Sequence, residues 1–202
     1  SNIAFYNGKL RPLPRFESEN PINFYQVDGT FHEYTNEAEA LKVIDILREI
    51  TPREDGCYPS VGVATFNITQ RNLIRKKLLW LKSQEHEQAF AEKLTALEKA
   101  GLFIKNLENI QGDERDIIIL SVTYGKKKDG KFTQSFGPLN QQKGYKLLNV
   151  IITRAKEKIY VCNSIPEAVF LNYADALAQE QANNRKAVLY AYLAYTKAVS
   201  EG

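Results

Sequence analysis

Methionine is absent from the 202-residue sequence, and cysteine and histidine occur only twice each. Cys57 and Cys162 lie far apart and form no CxxC pair. The sequence therefore favours neither a disulfide scaffold nor a zinc ribbon, and it points to a reducing compartment such as the cytoplasm. With His32 and His86 as the only histidines, no metal site is predicted in this chain.

Long apolar runs are also missing. No stretch of about 18 apolar residues is present, so no membrane span is predicted. The opening residues SNIAFYNGKL show no basic stretch followed by an apolar run, so no signal peptide is predicted. Because the chain starts with Ser1-Asn2 and has no methionine, we expect residues 1–202 to be a single domain taken from a longer protein.

Positive charge is concentrated in one part of the chain. Residues 125–158 carry nine basic and two acidic residues, whereas the whole chain has a net charge of only +3. A local basic surface of this kind favours a polyanion partner, either a nucleotide or a nucleic acid. A solvated loop beside an ordinary helix face explains the same charges.

Apolar strands alternate with amphipathic helices along the sequence. The pattern predicts strands at 22–27, 61–66, 102–105, 116–124 and 158–163, and helices at 36–50, 69–82, 85–99, 144–156 and 184–199. Asn36 and Glu39 form a predicted capping pair, and residues 1–20 are predicted to be irregular. This order predicts an α/β fold with a mostly parallel sheet flanked by helices, and ligands at the carboxyl ends of its strands.

One segment nearly matches a phosphate-binding loop. Residues 125–132, GKKKDGKF, follow the most apolar predicted strand and approach the pattern GxxxxGK[ST]. Phe132 stands where a hydroxyl must hold Mg²⁺, and the following FTQSFGPLNQQ does not have a helical pattern. The sequence therefore predicts that the chain lacks its own Walker A loop, which argues against a small P-loop kinase.

Two other segments carry groups suited to nucleotide chemistry. In NIQGDERD (109–116), Gln111, Gly112 and Glu114 place an amide, a bare backbone N–H and a carboxylate in one turn. These groups suit a ribose and a terminal phosphate, although a polar turn with glycine at a special backbone angle explains the same spacing. In LNVIITRAK (148–156), Arg154 stands alone among apolar residues, as either a structural arginine or an arginine finger.

The combination of these segments resembles the second RecA-like domain of a superfamily 1 helicase. The resemblance covers nearly the whole chain, with VGVATFNITQ (61–70) similar to motif IV, IKNLENIQGDERDIIILSVTY (104–124) to motif V and its extension, and GPLNQQKGYKLLNVIITRAK (137–156) to motif VI. It points to the branch that includes the nonsense-mediated-decay helicases, and within it to a bacterial subgroup of large helicase-related proteins. It implies a RecA-like P-loop NTPase fold and ATP-dependent helicase activity in the complete protein.

The resemblance also implies a nucleotide site shared with another domain. Arg154 would be the arginine finger, and Gln111, Gly112 and Glu114 would contact ATP. Mg²⁺ would be held by an upstream RecA-like domain that these residues do not include, so the chain alone is expected to be inactive.

Nucleic-acid contacts are implied at a second set of positions. Thr65, Asn109 and Ser121 would contact the backbone of single-stranded DNA or RNA. Lys146 stands where many relatives carry an arginine, and it keeps the charge without the bidentate geometry. Tyr124 replaces an arginine that relatives outside the subgroup carry, which puts a backbone contact there in doubt. The competing hypothesis is a nucleic-acid-binding or scaffold domain of a helicase-like protein without motor activity.

Overall fold

A five-stranded parallel sheet forms the centre of the fold. The computed structural model describes residues 3–6, 9–12, 21–110, 112–133, 151–171 and 185–202. The strands are β1 (Ile3–Tyr6), β2 (Lys9–Pro12), β3 (Ile22–Gln26), β4 (Phe31–His32), β5 (Thr35–Asn36), β6 (Val61–Thr65), β7 (Phe103–Asn106), β8 (Arg115–Gly125) and β9 (Ala155–Ser164). The central sheet has the order β3-β9-β8-β6-β7, and each neighbouring pair is parallel.

Four helices of 12 or more residues accompany the strands in the described part of the chain. They are α1 (Glu37–Glu49), α2 (Ile68–Lys82), α3 (Gln88–Lys99), which follows a 3-10 turn, and α4 (Arg185–Glu201). The side chain of Asn36 accepts a hydrogen bond from the backbone N–H of Glu39 at 3.0 Å, which confirms the predicted cap of α1. Asn67 caps α2 in the same way through the N–H of Gln70.

The central strand β8 divides the core into two halves. Ile118 and Leu120 pack on the face that α4 covers, whereas Ile117 and Ile119 pack on the face covered by α1, α2 and α3. Successive side chains of a strand point to opposite faces, so a run of consecutive apolar residues is what burial on both faces requires. The predicted α/β class, with a parallel sheet flanked by helices, is confirmed.

The chain differs from the predicted elements in three places. The helix predicted to end at Lys156 is wrong at that end, because the helical turn stops at Ile152 and β9 begins at Ala155. Ala155 pairs with Arg115, and this ladder draws the residues after Arg154 into the sheet. The rest of that predicted helix, residues 144–150, lies outside the described residues. Residues 3–12, predicted to be irregular, contain an antiparallel ribbon of β1 and β2.

The third difference is a small hairpin that the sequence pattern did not indicate. Strands β4 and β5 pair antiparallel and are joined by Glu33 and Tyr34, whose φ angles are 48° and 61°. Two-residue hairpin turns with positive φ usually contain glycine or asparagine, and neither is present here. The described helices include none that is long and apolar enough to cross a membrane.

Candidate functional site

Glu114 and Arg154 lie side by side at the edge formed by the amino ends of the strands, called the amino edge here. Each immediately precedes a strand, β8 for Glu114 and β9 for Arg154. The two strands start in register, since Arg115 pairs with Ala155 and the N–H of Arg115 donates to the carbonyl of Arg154 at 2.9 Å. Both candidate residues therefore precede their strands, whereas the sequence-based expectation was that ligand-binding residues follow the strands.

The charged groups at this edge are close but loosely held. Arg154 Nη1 lies 4.0 Å from Glu114 Oε1, and Lys156 Nζ lies 3.9 Å from Glu114 Oε2. The Glu114 side chain is 53% exposed and that of Arg154 is 25% exposed. Within the described part of the chain, Arg154 Nε is buried and has no hydrogen-bond partner. The buried Nε is out of reach of an incoming anion, but Nη1 makes only a long contact with Glu114 and can donate to one.

The turn before Glu114 is fixed by its neighbours. Gly112 has a φ of 88°, a left-handed conformation that favours glycine. The Asp113 carboxylate accepts a hydrogen bond from Lys105 Nζ at 2.7 Å, and this bond lowers the pKa of Asp113, with further lowering from the nearby Arg115 and Arg154. Asp113 is thereby kept ionised, and the turn presents the Glu114 side chain to solvent. Gln111, the remaining predicted nucleotide contact, lies outside the described residues.

The residues predicted to contact nucleic acid are found toward the opposite, carboxyl edge of the sheet. Asn109 is exposed in a 3-10 turn directly after β7, and its side chain donates to Asn106 Oδ1 at 2.9 Å. Thr65 and Ser121 are both fully buried, at paired positions of β6 and β8. The Thr65 hydroxyl donates to the carbonyl of Asn67 at 2.7 Å. The structure thus brings these residues to one end of the sheet but exposes only Asn109. Lys146 lies outside the described residues.

A buried polar network lies beneath the carboxyl edge. Glu39 Oε1 accepts hydrogen bonds from the Ser121 hydroxyl at 2.8 Å and from the Thr123 N–H at 2.7 Å. Gln70 bonds to both the N–H and the carbonyl of Asn36 and donates to Ser121 Oγ at 3.3 Å. These bonds join α1, α2 and β8 around one carboxyl group.

Burial controls the ionisation of that carboxyl group. Desolvation raises the pKa of Glu39 to about 7, although hydrogen bonds from Ser164, Thr123 and Ser121 act in the opposite direction. The sequence pattern predicts Glu39 only as a capping residue, and its buried role in this network was not predicted. The available signal was an acidic residue at a position that α1 buries, next to Ala40.

The near-match to a phosphate loop forms a tight turn after β8. The N–H of Lys127 donates to the carbonyl of Lys131, and the N–H of Gly130 donates to the carbonyl of Lys127, both at 2.8 Å. As far as Thr133, where this part of the description ends, no helix begins. A Walker A loop leads into a helix whose N–H groups bind phosphate, and this turn does not.

Comparisons with known proteins agree on the family. A family model described as "AAA domain" matches residues 1–165. An uncharacterized ATP-dependent helicase of Mycoplasma genitalium, MG140, is 39% identical over 162 residues, and its Mycoplasma pneumoniae homolog is 33% identical over the same length. Each alignment covers 79% of this chain and 14% of the relative, so the chain spans about one-seventh of the length of these curated relatives.

The fold and the comparisons lead to the same assignment. The parallel sheet with helices on both faces is the arrangement of a RecA-like domain. The sequence similarity extends through β8 and β9, the strands that carry Glu114 and Arg154. The chain belongs to the AAA domain family and is a homologue of proteins named as ATP-dependent helicases.

Proposed function

We propose that the chain is the second motor domain of an ATP-dependent superfamily 1 helicase, in the nonsense-mediated-decay-like branch and its bacterial subgroup. The observation that carries the proposal is the placement of Arg154 beside Glu114 at the amino edge. An arginine that is to reach a phosphate on another domain needs a surface position and free donors. Arg154 meets both needs, since its side chain is partly exposed and its Nη1 makes only a loose contact with Glu114, at 4.0 Å.

In this proposal ATP lies between the amino edge and the upstream RecA-like domain. Hydrolysis transfers the γ-phosphoryl group to water, and negative charge spreads over its oxygens in the transition state. Arg154 would donate to those oxygens, and Lys156 would add a second positive charge nearby. Glu114 would accept a hydrogen bond from a ribose hydroxyl, and Gln111 and the N–H of Gly112 would complete the contact.

Mg²⁺ belongs to the other domain in this proposal. The described residues contain no group of three or more acidic, histidine or cysteine side chains that could hold a metal ion. The acid at the amino edge nearest to Arg154 is Glu114, which faces two positive groups. This setting suits contact with a neutral hydroxyl better than coordination of a cation.

The carboxyl edge would hold single-stranded DNA or RNA. Asn109 offers an exposed amide for a backbone contact, and Lys146 would supply a charge. Thr65 and Ser121 would act from below this edge, because their hydroxyls are buried. Binding through backbone phosphates weakens as salt rises, which gives this part of the proposal a simple signature.

ATP turnover by reconstituted halves tests the proposal. The chain is mixed with the separately produced upstream domain, with and without single-stranded DNA, and hydrolysis is compared with that of each half alone. We expect no ATP hydrolysis by the chain alone and turnover when the two halves are mixed. Arg154→Ala should lower the rate of turnover by about 10³-fold or more.

Arg53→Ala is the matched control for Arg154→Ala. Arg53 also lies at the amino edge, but its guanidinium is already paired with Asp116 and Glu157, so turnover should survive its loss. Retained turnover with Arg154→Ala would contradict the arginine-finger assignment. If the chain and the upstream domain form a complex that does not hydrolyse ATP, the scaffold hypothesis is favoured instead.

A further inference from the structure

The hairpin of β4 and β5 places an aromatic side chain at an exposed turn. Tyr34 is 65% exposed, and it is a large aromatic residue held at a φ of 61°. Left-handed backbone is unfavourable for a bulky side chain, and such strain persists where the surrounding structure enforces it. The neighbouring Glu33 has a φ of 48°, so both turn residues are held in this conformation. The fold thus maintains an unfavourable turn that presents a tyrosine ring to solvent.

Aromatic contacts support the ring from beneath. Tyr34 and Phe31 are T-shaped, with centroids 6.0 Å apart, and the ring of Phe31 lies 5.3 Å from that of Tyr124 at the end of β8. Tyr124 in turn contacts Phe66, which directly follows β6. This row of rings anchors the hairpin to the carboxyl edge and leaves most of the Tyr34 surface open.

The same hairpin is fastened to the basic turn. The N–H of Phe31 donates to the carbonyl of Lys126 at 2.9 Å, and Thr30 forms a parallel bridge with Lys126. The turn exposes four lysines, and we name them together with the ring the Tyr34–lysine surface: Tyr34, Lys126, Lys127, Lys128 and Lys131.

Positive charge prevails on this surface despite two acids beside it. Asp129 accepts a hydrogen bond from the N–H of Lys131, and Glu33 lies 3.7 Å from His32. The four lysines of the turn outnumber these two carboxylates, so the local charge is positive. Four exposed lysines, on a turn that is hydrogen-bonded to the hairpin carrying an exposed aromatic ring, match a strand of alternating phosphates and bases. An acidic peptide would complement the positive charge, but it carries no regularly spaced bases to stack on the ring.

We infer that Tyr34 is a stacking platform for one base of a single-stranded nucleic acid, and that the lysines of the Tyr34–lysine surface bind the flanking phosphates. The inference rests on the proposed function, from which it takes the class of ligand. It adds a binding position outside the helicase motifs, on the hairpin and on the turn that failed as a phosphate loop. Because every base has a π face, the contact should be independent of base identity.

Binding of a fluorescent 15-nucleotide oligo-dT by the full 202-residue chain tests the platform. By anisotropy at low salt, Tyr34→Ala should weaken binding by about 5- to 150-fold, the range measured for the loss of one base–aromatic stack, while Tyr34→Phe should bind as the wild type. On a strand with abasic sites throughout, wild type and Tyr34→Ala should bind equally. No measurable binding by the wild-type chain, or equal binding of oligo-dT by Tyr34→Ala, overturns the inference.

Tyr34→Gly separates the ring from the backbone strain. Glycine suits a φ of 61°, so this variant should be at least as stable as the wild type in urea and still lose the binding. A stable Tyr34→Gly chain with wild-type affinity would show that the ring makes no contact with the strand.

The salt dependence of binding tests the lysines. Lys127→Gln together with Lys131→Gln should reduce the slope of log K against log salt by about 1.4, the value for two phosphate contacts on a single strand. The control pair Lys76→Gln and Lys99→Gln removes two exposed lysines on α2 and α3 and should leave the slope unchanged. If the two double variants have the same salt slope, the inference that these lysines bind phosphates is overturned.

The two proposals fail separately. Arg154→Ala reports on ATP turnover and lies at the other edge of the sheet, whereas Tyr34→Ala is measured without ATP or a second domain. If Tyr34→Ala binds like the wild type while Arg154→Ala loses turnover, only the stacking role of Tyr34 is rejected. Loss of binding in Tyr34→Ala without an effect of Arg154→Ala on turnover would remove only the motor assignment.

Discussion

Arg154 and Glu114 face each other across the first residues of two neighbouring parallel strands, with Nη1 and Oε1 4.0 Å apart. An ion pair at this separation and exposure contributes only about 0–1 kcal/mol, because water screens it. Arg154 can therefore leave Glu114 for another anion at little cost. The strands fix the position of the arginine, and the weak pairing leaves its side chain available.

The Glu114→Gln variant measures how weak that pairing is. We expect the free energy of unfolding in urea to change by less than about 1 kcal/mol, since Glu114 is exposed and its partners lie at 3.9 and 4.0 Å. Nucleotide-dependent turnover in the reconstituted motor should nevertheless fall. A loss of more than about 2 kcal/mol of stability would show that Glu114 has a structural role instead.

Glu39→Gln should remove a pH dependence of stability. The pKa of Glu39 is raised from 4.5 to about 7 in the folded chain, so the folded state binds more protons than the unfolded state between these values. Stability from this group is thus complete below about pH 4.5 and falls by about 3 kcal/mol as the pH rises to 7. Urea unfolding at pH 5 and pH 7.5 should show a smaller decrease for Glu39→Gln, and an unchanged decrease would place the titration elsewhere.

Gly29→Ala should destabilise the carboxyl edge. A Cβ at Gly29 would lie 2.0 Å from Asn36 Oδ1, the atom that caps α1. Displacing that cap and overfilling the site should together cost about 2–4 kcal/mol. Gly56→Ala is the control, since its φ of 81° carries a backbone cost but nothing lies within 4 Å of the added Cβ. Thermal unfolding that shifts equally in both would argue against the Asn36 contact.

Asn109→Ala and Ser121→Ala should have opposite effects. Ser121 is buried and donates to Glu39, so its loss should lower stability by about 1–3 kcal/mol. Asn109 is exposed, so its loss should leave stability nearly unchanged and weaken oligonucleotide binding. The two variants are compared by urea unfolding and by anisotropy, and a stable Ser121→Ala chain that fails to bind would show that Ser121 contacts the strand directly.

The sequence predicted the regular elements well because their patterns are local. The consecutive apolar run of β8 and the Asn36 cap depend on residues a few positions apart, and both are confirmed. The helix predicted through Lys156 failed because the sheet partner of Ala155 lies 40 residues away at Arg115. Pairing with a distant strand overrides the local helix propensity, and such long-range pairing cannot be read from one stretch of sequence.

The sequence named the candidate site residues, whose roles stay predictions, but it did not indicate where they lie. Glu114 and Arg154 were identified from motif similarity, yet their position at the amino edge follows from the register of β8 and β9. The burial of Thr65 and Ser121 was not predicted either. Serine and threonine occur at both buried and exposed strand positions, so the sequence alone does not show which applies. Tyr34 carried no signal, because a two-residue turn without glycine or asparagine has no recognisable sequence pattern.

The length of β8 has a mechanical consequence. Its 11 residues lead from Glu114 to the lysine turn, a distance of about 30 Å at the usual rise of a strand. Between Ile117 and Ser121, strands pair with β8 on both sides and apolar side chains pack on both of its faces, so we expect this part of the strand to be rigid. A tilt of a few degrees at the amino edge would therefore displace the far end by an ångström or more. In a motor, a rigid β8 would convert a small domain closure around a nucleotide into a displacement along the bound nucleic acid.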